Sequence, residues 1–452
     1  MKNSKHPFLK WAGIVFLVLG LVYAGLVVAG SMAVRREKAA LEAAGFPMRP
    51  EQVILAAIPE EDNAAPLYNV AVKALKDVPF EGKSVDGDTS SNLFDQLERT
   101  AVAVRKDPVN GEVAKNFETL VRDPRVTDFL ASVERASALP EYRQENDYSM
   151  LAQRMAGQEQ DAAKGPEMFL PYISDNLKVS QILAALALQQ MRQGNTTAAW
   201  RTIEISFRFA DTLRDEPLLI SQLVRTTQQG IAIKAMKDAA AMSAPSEDVS
   251  QALQKQLSLI DGESTAALAL NGERILFGEW TFSQSPASLG KFMRKMSPWW
   301  EVPFPYFSAL TSVVFGPLLQ PWENAAFLQA SRAMLGGGDK AIPENGSSSS
   351  LLRMPGLFAM TKAAVSSAQG LRMNLTHVDS AAVVARLGLA AINYKKEHGA
   401  FPRDLQALGA QDLVDPFTRK PLVYRPEPDG FLLYSLGPDL TDDGGLGYDY
   451  KE

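Results

Sequence analysis

Twenty-four consecutive positions, Trp11 to Val34, carry no charged side chain. As a helix rising ~1.5 Å per residue, such a run spans about 36 Å, more than the ~30 Å hydrocarbon core of a bilayer. Lys2, Lys5 and Lys10 precede it and Arg35, Arg36 and Lys38 follow it, while Trp11 stands where an interfacial aromatic belongs. Three bases on each side leave the positive-inside rule tied. Ser31-Met32-Ala33 has the small residues of a signal-peptidase site, but the run outlasts the ~7–15 apolar residues of a signal peptide. The expectation is an uncleaved anchor at residues 1–35, crossing the cytoplasmic (inner) membrane once. No second run in the remaining 418 residues (452 − 34) reads as long enough to span, so they are expected to form an extracytoplasmic, periplasmic body.

Composition excludes several kinds of chemistry. With 46 basic and 52 acidic residues the net charge is −6, the wrong sign for a nucleic-acid partner. Cysteine is absent and the histidines are His6, His377 and His398. Disulfides, thiolate nucleophiles and cysteine-held metals are therefore excluded. No phosphate-binding loop, nucleophile elbow or His-Glu-x-x-His pair occurs. His398, at a helix exit beside Gly399, reads as a C-terminal cap favoured by the helix dipole. No catalytic residue is assigned. A hydrolase using two carboxylates brought together in the helical region is the alternative, since such acids can be far apart in sequence.

The body from 36 to 335 reads as helical. The anchor runs on as a charged helix to about Ala44, where Gly45 and Pro47 break it. Pro66 marks a helix start after Asp62-Asn63. Val179, Ile182, Leu183 and Leu186 fall at i, i+3, i+4 and i+7, one apolar stripe. Gly194-Asn195 closes that helix, and further helices follow at about 196–213, from Pro217 to Met242, and from Ser246. This helix–Gly–helix section resembles a tetratricopeptide unit, without that unit's aromatic pattern or a second copy at its period. It implies a helical bundle or irregular solenoid, with a peptide groove as the functional alternative to plain core. Trp299, Trp300, Phe304, Tyr306 and Phe307 crowd a proline-rich segment; such clusters usually plug a core, and otherwise make a recognition or membrane-contact patch. Residues 336–350 have the glycine and serine content of a flexible linker.

Beyond the linker, 351–452 reads as a small α+β module: a helix from Ala381 to Lys396 stopped by Gly399 and Pro402, then strands at 422–424 and 430–436 around Asp429-Gly430. Tyr394-Lys-Lys-Glu-His398-Gly399-Ala-Phe401-Pro402, Asp415-Pro416-Phe417 with Lys420-Pro421-Leu422-Val-Tyr424, and Leu433-Tyr434-Ser435-Leu436-Gly437-Pro438-Asp439 follow in that order. Together these blocks resemble the globular domain of the major pseudopilins of type II secretion. The whole chain is similar to bacterial membrane-anchored proteins that carry such a tail behind a helical region. The pseudopilin signature Gly-Phe-Thr-Leu-Ile-Glu has no counterpart on the membrane run, which begins Phe8-Leu-Lys-Trp-Ala-Gly. The module therefore stands on a different scaffold.

The resemblance implies calcium in the final loop. Calcium takes six to eight oxygens at ~2.3–2.6 Å, which suits carboxylates on a bendable loop. Asp439 and Asp443, then Asp442 and Asp449, are the expected ligands, with Ser435 and the Leu436 carbonyl completing the shell. Residues 425–452 hold seven acids and two bases, net −5, a charge that a divalent cation would relieve. The function expected is non-enzymatic: a membrane-anchored binding or assembly protein with protein partners, beside a secretion or pilus-like system. A metal-free scaffold is the remaining alternative.

Overall fold

The computed structural model describes residues 7–80, 92–107, 110–144, 171–296, 308–336, 359–410, 413–427 and 430–445. Among these the chain is mainly helical, with one two-stranded antiparallel sheet. The aromatic cluster at 299–307 and, apart from Gly336, the linker lie outside the described residues.

Helix α1 (Pro7–Ala43) is continuous, and its apolar side chains are largely exposed. Gly45 ends its extension with a φ of +81°. Four short helices come next: α2 (Ala65–Lys76), α3 (Leu93–Lys106), α4 (Gly111–Val121) and α5 (Pro124–Ser137). Asn92, Asn110 and Asp123 cap the last three, each side-chain oxygen accepting a backbone N–H of the first turn. Phe94, Phe117, Phe129 and Ile182 fill the core these helices share with the next one, and the Tyr68 ring meets Phe209 edge-on at 4.9 Å.

The centre is made of α6 (Pro171–Arg192), α7 (Thr196–Ala210) and α8 (Leu219–Met242). Val179, Ile182 and Leu183 are buried, as the stripe predicts. Gly194 adopts φ +80° and the Asn195 amide reaches back to the Gln190 carbonyl at 2.9 Å, a glycine-terminated helix end. A polar seam also crosses this interior: Gln228 Nε2 donates to Ser180 Oγ at 3.0 Å, and Gln222 Nε2 donates to the carbonyls of Leu213 and Glu216 at 2.7 Å each. Burial makes these amides depend on such partners.

Helices α9 (Glu247–Ser258) and α10 (Gly262–Gly272) lead into a π-helical turn, Glu273–Gly278, then α11 (Glu279–Ser283) and α12 (Pro286–Met296). After an interval come α13 (Ala309–Val314), α14 (Gly316–Leu335) and α15 (Ala359–His398). Helix α14 lies alongside α1, where Arg332 Nε pairs with Glu37 at 3.1 Å, and α11 also meets α1, where Lys38 Nζ pairs with Glu279 at 2.7 Å.

Helix α15 begins 22 positions before the Ala381 start that the sequence suggests. Its first half is rich in small residues and gives little amphipathic signal, yet Ala368 is buried against Leu270 and Met334. Packing rather than propensity makes that half helical. The helix is seated in the main body along its length. The Gly262 amide donates to Asp379 at 3.0 Å, Gln254 Nε2 to the Arg386 carbonyl at 2.7 Å, and Asn393 Nδ2 to Ser250 at 2.8 Å. By length and composition alone Met360–His398 also passes the test for a membrane span. Its most apolar window is 44% buried, whereas that of α1 is 0% buried, and this burial is the mark of a core helix.

Gly399, at φ +78°, ends α15 where expected, and His398 Nδ1 lies 3.0 Å from the Tyr394 carbonyl. Strands β1 (Val423–Pro426) and β2 (Phe431–Tyr434) pair with Val423 opposite Tyr434 and Pro426 opposite Phe431. Phe431 stacks edge-on to Phe401 at 5.1 Å, fixing the hairpin to the helix exit.

Candidate functional site

The π turn creates the site. An extra residue in one helical turn widens it and redirects the following side chains. Glycines bound it for steric reasons. A Cβ on Gly272 would stand 1.6 Å from the Pro217 carbonyl oxygen, and one on Gly278 would stand 2.4 Å from the Phe327 ring. The bare backbone therefore passes directly under its neighbours.

Beside this turn lies a cavity of ≈ 410 Å³, within the range of small-molecule sites. Its walls come from the start of α8, the end of α10, the π turn with α11, and α14 with α15. They are mostly apolar: Leu219, Leu270, Phe277, Phe282, Phe327, Met334 and Met360. The Phe282 and Phe327 rings lie 5.6 Å apart. Both belong to the cluster around Leu41, so the cavity adjoins the extension of α1.

Five polar side chains enter the lining: Glu273, Arg274, Thr281, Ser331 and Ser367. Ser331 Oγ is occupied, donating to the Phe327 carbonyl at 2.8 Å. Arg274 is 1% exposed and faces the chain just beyond α1. Its guanidinium donates to the Pro47 carbonyl, to Asn271 Oδ1 at 3.1 Å, and approaches Met48 Sδ at 3.9 Å. Glu273 is the ionisable group left for a ligand. Loss of hydration raises its carboxyl to about 7, only partly opposed by a hydrogen bond from the Leu219 amide. Leu219 is the first residue of α8, so this donor is one of the N–H groups that a helix leaves unpaired. Near neutral pH the carboxyl is poised between accepting and donating, beside an apolar volume. Among the described residues one carboxyl group and one guanidinium line the cavity, and no carboxylate pair does.

The loop residues singled out from sequence lie elsewhere, past β2. Ser435 Oγ donates to Asp415 Oδ1 at 2.9 Å and the Leu436 amide to Asp415 Oδ2 at 3.3 Å. Buried Asp415, not the loop, is the polar hub there. Asp439, Asp442 and Asp443 each accept a backbone amide two residues on, from Thr441, Gly444 and Gly445 at 3.1, 3.0 and 3.1 Å. Asp442 also accepts from the Tyr434 hydroxyl at 2.6 Å. Among the described residues no group of three or more His, Asp or Glu side chains comes together; Asp449 lies outside them.

Sequence reasoning passed over Glu273 and Arg274. Their one signal is an acid–base dipeptide between two uncharged stretches, 264–272 and 275–278. No family model, curated protein or solved structure matches this chain or its fold.

Proposed function

We propose that this is a single-pass membrane protein of the cytoplasmic membrane, anchored through α1, with its body outside the cytoplasm. In this reading it is a non-enzymatic binding protein, and the cavity at the π turn holds an amphipathic ligand. The ligand has an apolar chain for the Phe282–Phe327 side and a small polar head for Glu273. The observation that carries the reading is the pairing of a largely apolar ≈ 410 Å³ cavity with one carboxyl raised to about 7. Apolar walls supply affinity, and a few polar groups, Glu273 the one carboxyl among them, supply orientation. A single carboxyl favours binding over hydrolysis by a carboxylate pair.

A photoactivatable fatty acid tests this on the full chain in detergent. Crosslinks should fall within 273–282 and 327–334, diminish with excess oleate, and disappear in Ala364→Trp, which fills the cavity. Crosslinks confined to α1, or unchanged in that variant, reject it.

The α6–α7 hairpin fits an irregular tetratricopeptide-like unit, and α15 with the hairpin fits a pseudopilin-like module that docks partners of a secretion or pilus-like system. Calcium suits the hard oxygen donors of the tail. Asp439 and Asp443, with Asp442 and Asp449, would hold it, and the ion would pin the loop after β2. Gly437, Gly444 and Gly445 at φ +73°, +77° and +79° supply the curl that such a loop needs.

A further inference from the structure

Helix α1 is not the whole of the chain's apolar surface. From Ser308 to Trp322 no residue is charged, and this stretch turns through α13 into the start of α14. Leu310, Val313, Val314 and Phe315 are 74, 62, 41 and 38% exposed. A water-facing turn gains nothing from four such side chains, and a patch of this kind marks an interaction surface.

Its position identifies the partner. The Tyr23 hydroxyl donates to the Val314 carbonyl at 2.9 Å, and Trp322 Nε1 donates to the Leu26 carbonyl at 3.2 Å. Gly30 lies beneath Pro321 and Trp322, where a Cβ would come within 2.9 Å of the indole nitrogen. Small residues permit this closeness between membrane helices. Leu26 and Tyr23 are eight and eleven residues inside the Val34 end of the uncharged run, about 12 and 16 Å of helix. A segment touching both stands at the depth of the acyl chains of the leaflet that the body faces.

We infer that residues 308–322 are embedded in that leaflet beside the anchor, with lipid as their partner. The hydrogen bonding fits a site without water. Val314 ends a helix, where a carbonyl has no intrahelical donor, and Tyr23 supplies one. At the other end of α13, Ser308 and Thr311 cap each other: the Thr311 amide donates to Ser308 Oγ at 3.1 Å and the Ser308 amide to Thr311 Oγ1 at 2.8 Å. Pro317 has no N–H to satisfy. Helix α12 brings Arg294 to the flank, its Nη1 donating to Ser312 Oγ at 3.3 Å.

The inference rests on α1 as a membrane span, and the experiment separates the two. Because the chain has no cysteine, Phe16→Cys, Leu310→Cys, Val313→Cys and Val70→Cys each carry one nitroxide label. The full chain is reconstituted in vesicles of phosphatidylcholine and phosphatidylglycerol. Relaxation by oxygen, which concentrates in lipid, is compared with relaxation by a water-soluble nickel chelate. Labels at 310 and 313 should favour oxygen several-fold, as at 16, with the ratio inverted at 70. If 16 favours oxygen while 310 and 313 behave like 70, or are shielded from both reagents by protein, the embedding is wrong. If 16 favours nickel, the anchor itself is wrong.

Discussion

Glu273 and Asp442 are both carboxylates that accept a backbone amide, yet they hold their protons in opposite ways. Glu273, which is half-buried, is raised to about 7 because packing removes much of its water and the Leu219 amide restores only part of what is lost. Asp442 is held below the usual carboxylate range by the Tyr434 hydroxyl and the Gly444 amide, and solvent covers the rest of it. One or two hydrogen bonds cannot replace a hydration shell, so where the shell is removed the neutral form wins. The cavity is a place where a long-range fold imposes chemistry on a residue. The loop is a place where local turns do.

The largest effect separating the two regions is steric. Gly272→Ala would put a methyl against the Pro217 backbone carbonyl, 1.6 Å away, which cannot turn aside as a side chain can. A loss of about 3 kcal/mol or more is expected, at or beyond the upper range of overpacking. Gly444→Ala has open space and strains only φ +77°, so about 1–2 kcal/mol is expected. Urea midpoints of the two variants measure this. Equal losses would show that the π turn can shift freely.

A smaller difference lies in pH dependence. In the folded protein Glu273 binds its proton up to about pH 7, whereas an ordinary glutamate releases it near 4.5. Between those values the native state binds more protons than the unfolded chain, so stability falls as pH rises. It is complete below 4.5 and lost through 7, amounting to at most about 3 kcal/mol. Asp379, raised to about 6 by burial, adds a like-signed slope that ends sooner. Glu273→Gln should therefore flatten the wild-type curve mainly between pH 5 and 7. Parallel curves would mean that the carboxyl keeps its water and that the cavity is open.

These residues also show what the sequence could disclose. Some helix ends were legible because they are local: Gly194 and Gly399 use bonds within a few residues. The apolar stripe of α6 and the β1–β2 hairpin were legible by period and turn. The cavity was not, since Leu219, Glu273, Phe327 and Met360 come from distant segments and no spacing links them. The first half of α15 was hidden for the same reason: its small residues become core only when Leu270 and Met334 arrive. The −5 tail was conspicuous as composition, but what each aspartate touches is decided by turns two residues long.

Calcium sharpens the contrast further. If the loop binds it, millimolar calcium should raise the melting temperature of the full chain, because a ligand of the native state stabilises by RT ln(1 + [L]/Kd), about 2.7 kcal/mol at a hundredfold excess over Kd. The full chain is the right object, since α15 draws its partners from α9 and α10. Asp439→Ala/Asp443→Ala should abolish the rise and Glu273→Gln should keep it. No rise, or a rise that the double variant retains, removes the metal from the tail.

The smallest effect isolates hydrogen bonding from burial. Tyr434→Phe deletes the 2.6 Å hydrogen bond to Asp442 and leaves its solvent untouched. The Gly444 amide remains, so the Asp442 carboxyl should titrate closer to an ordinary aspartate but still below it, as followed by carboxyl NMR. The urea midpoint should not move, because an exposed hydroxyl–carboxylate contact exchanges for water at little net cost. A measurable destabilisation would mean that the loop is covered in the folded protein. The opposition between a half-buried acid at the π turn and hydrated ones in the tail would then fail at its weaker end.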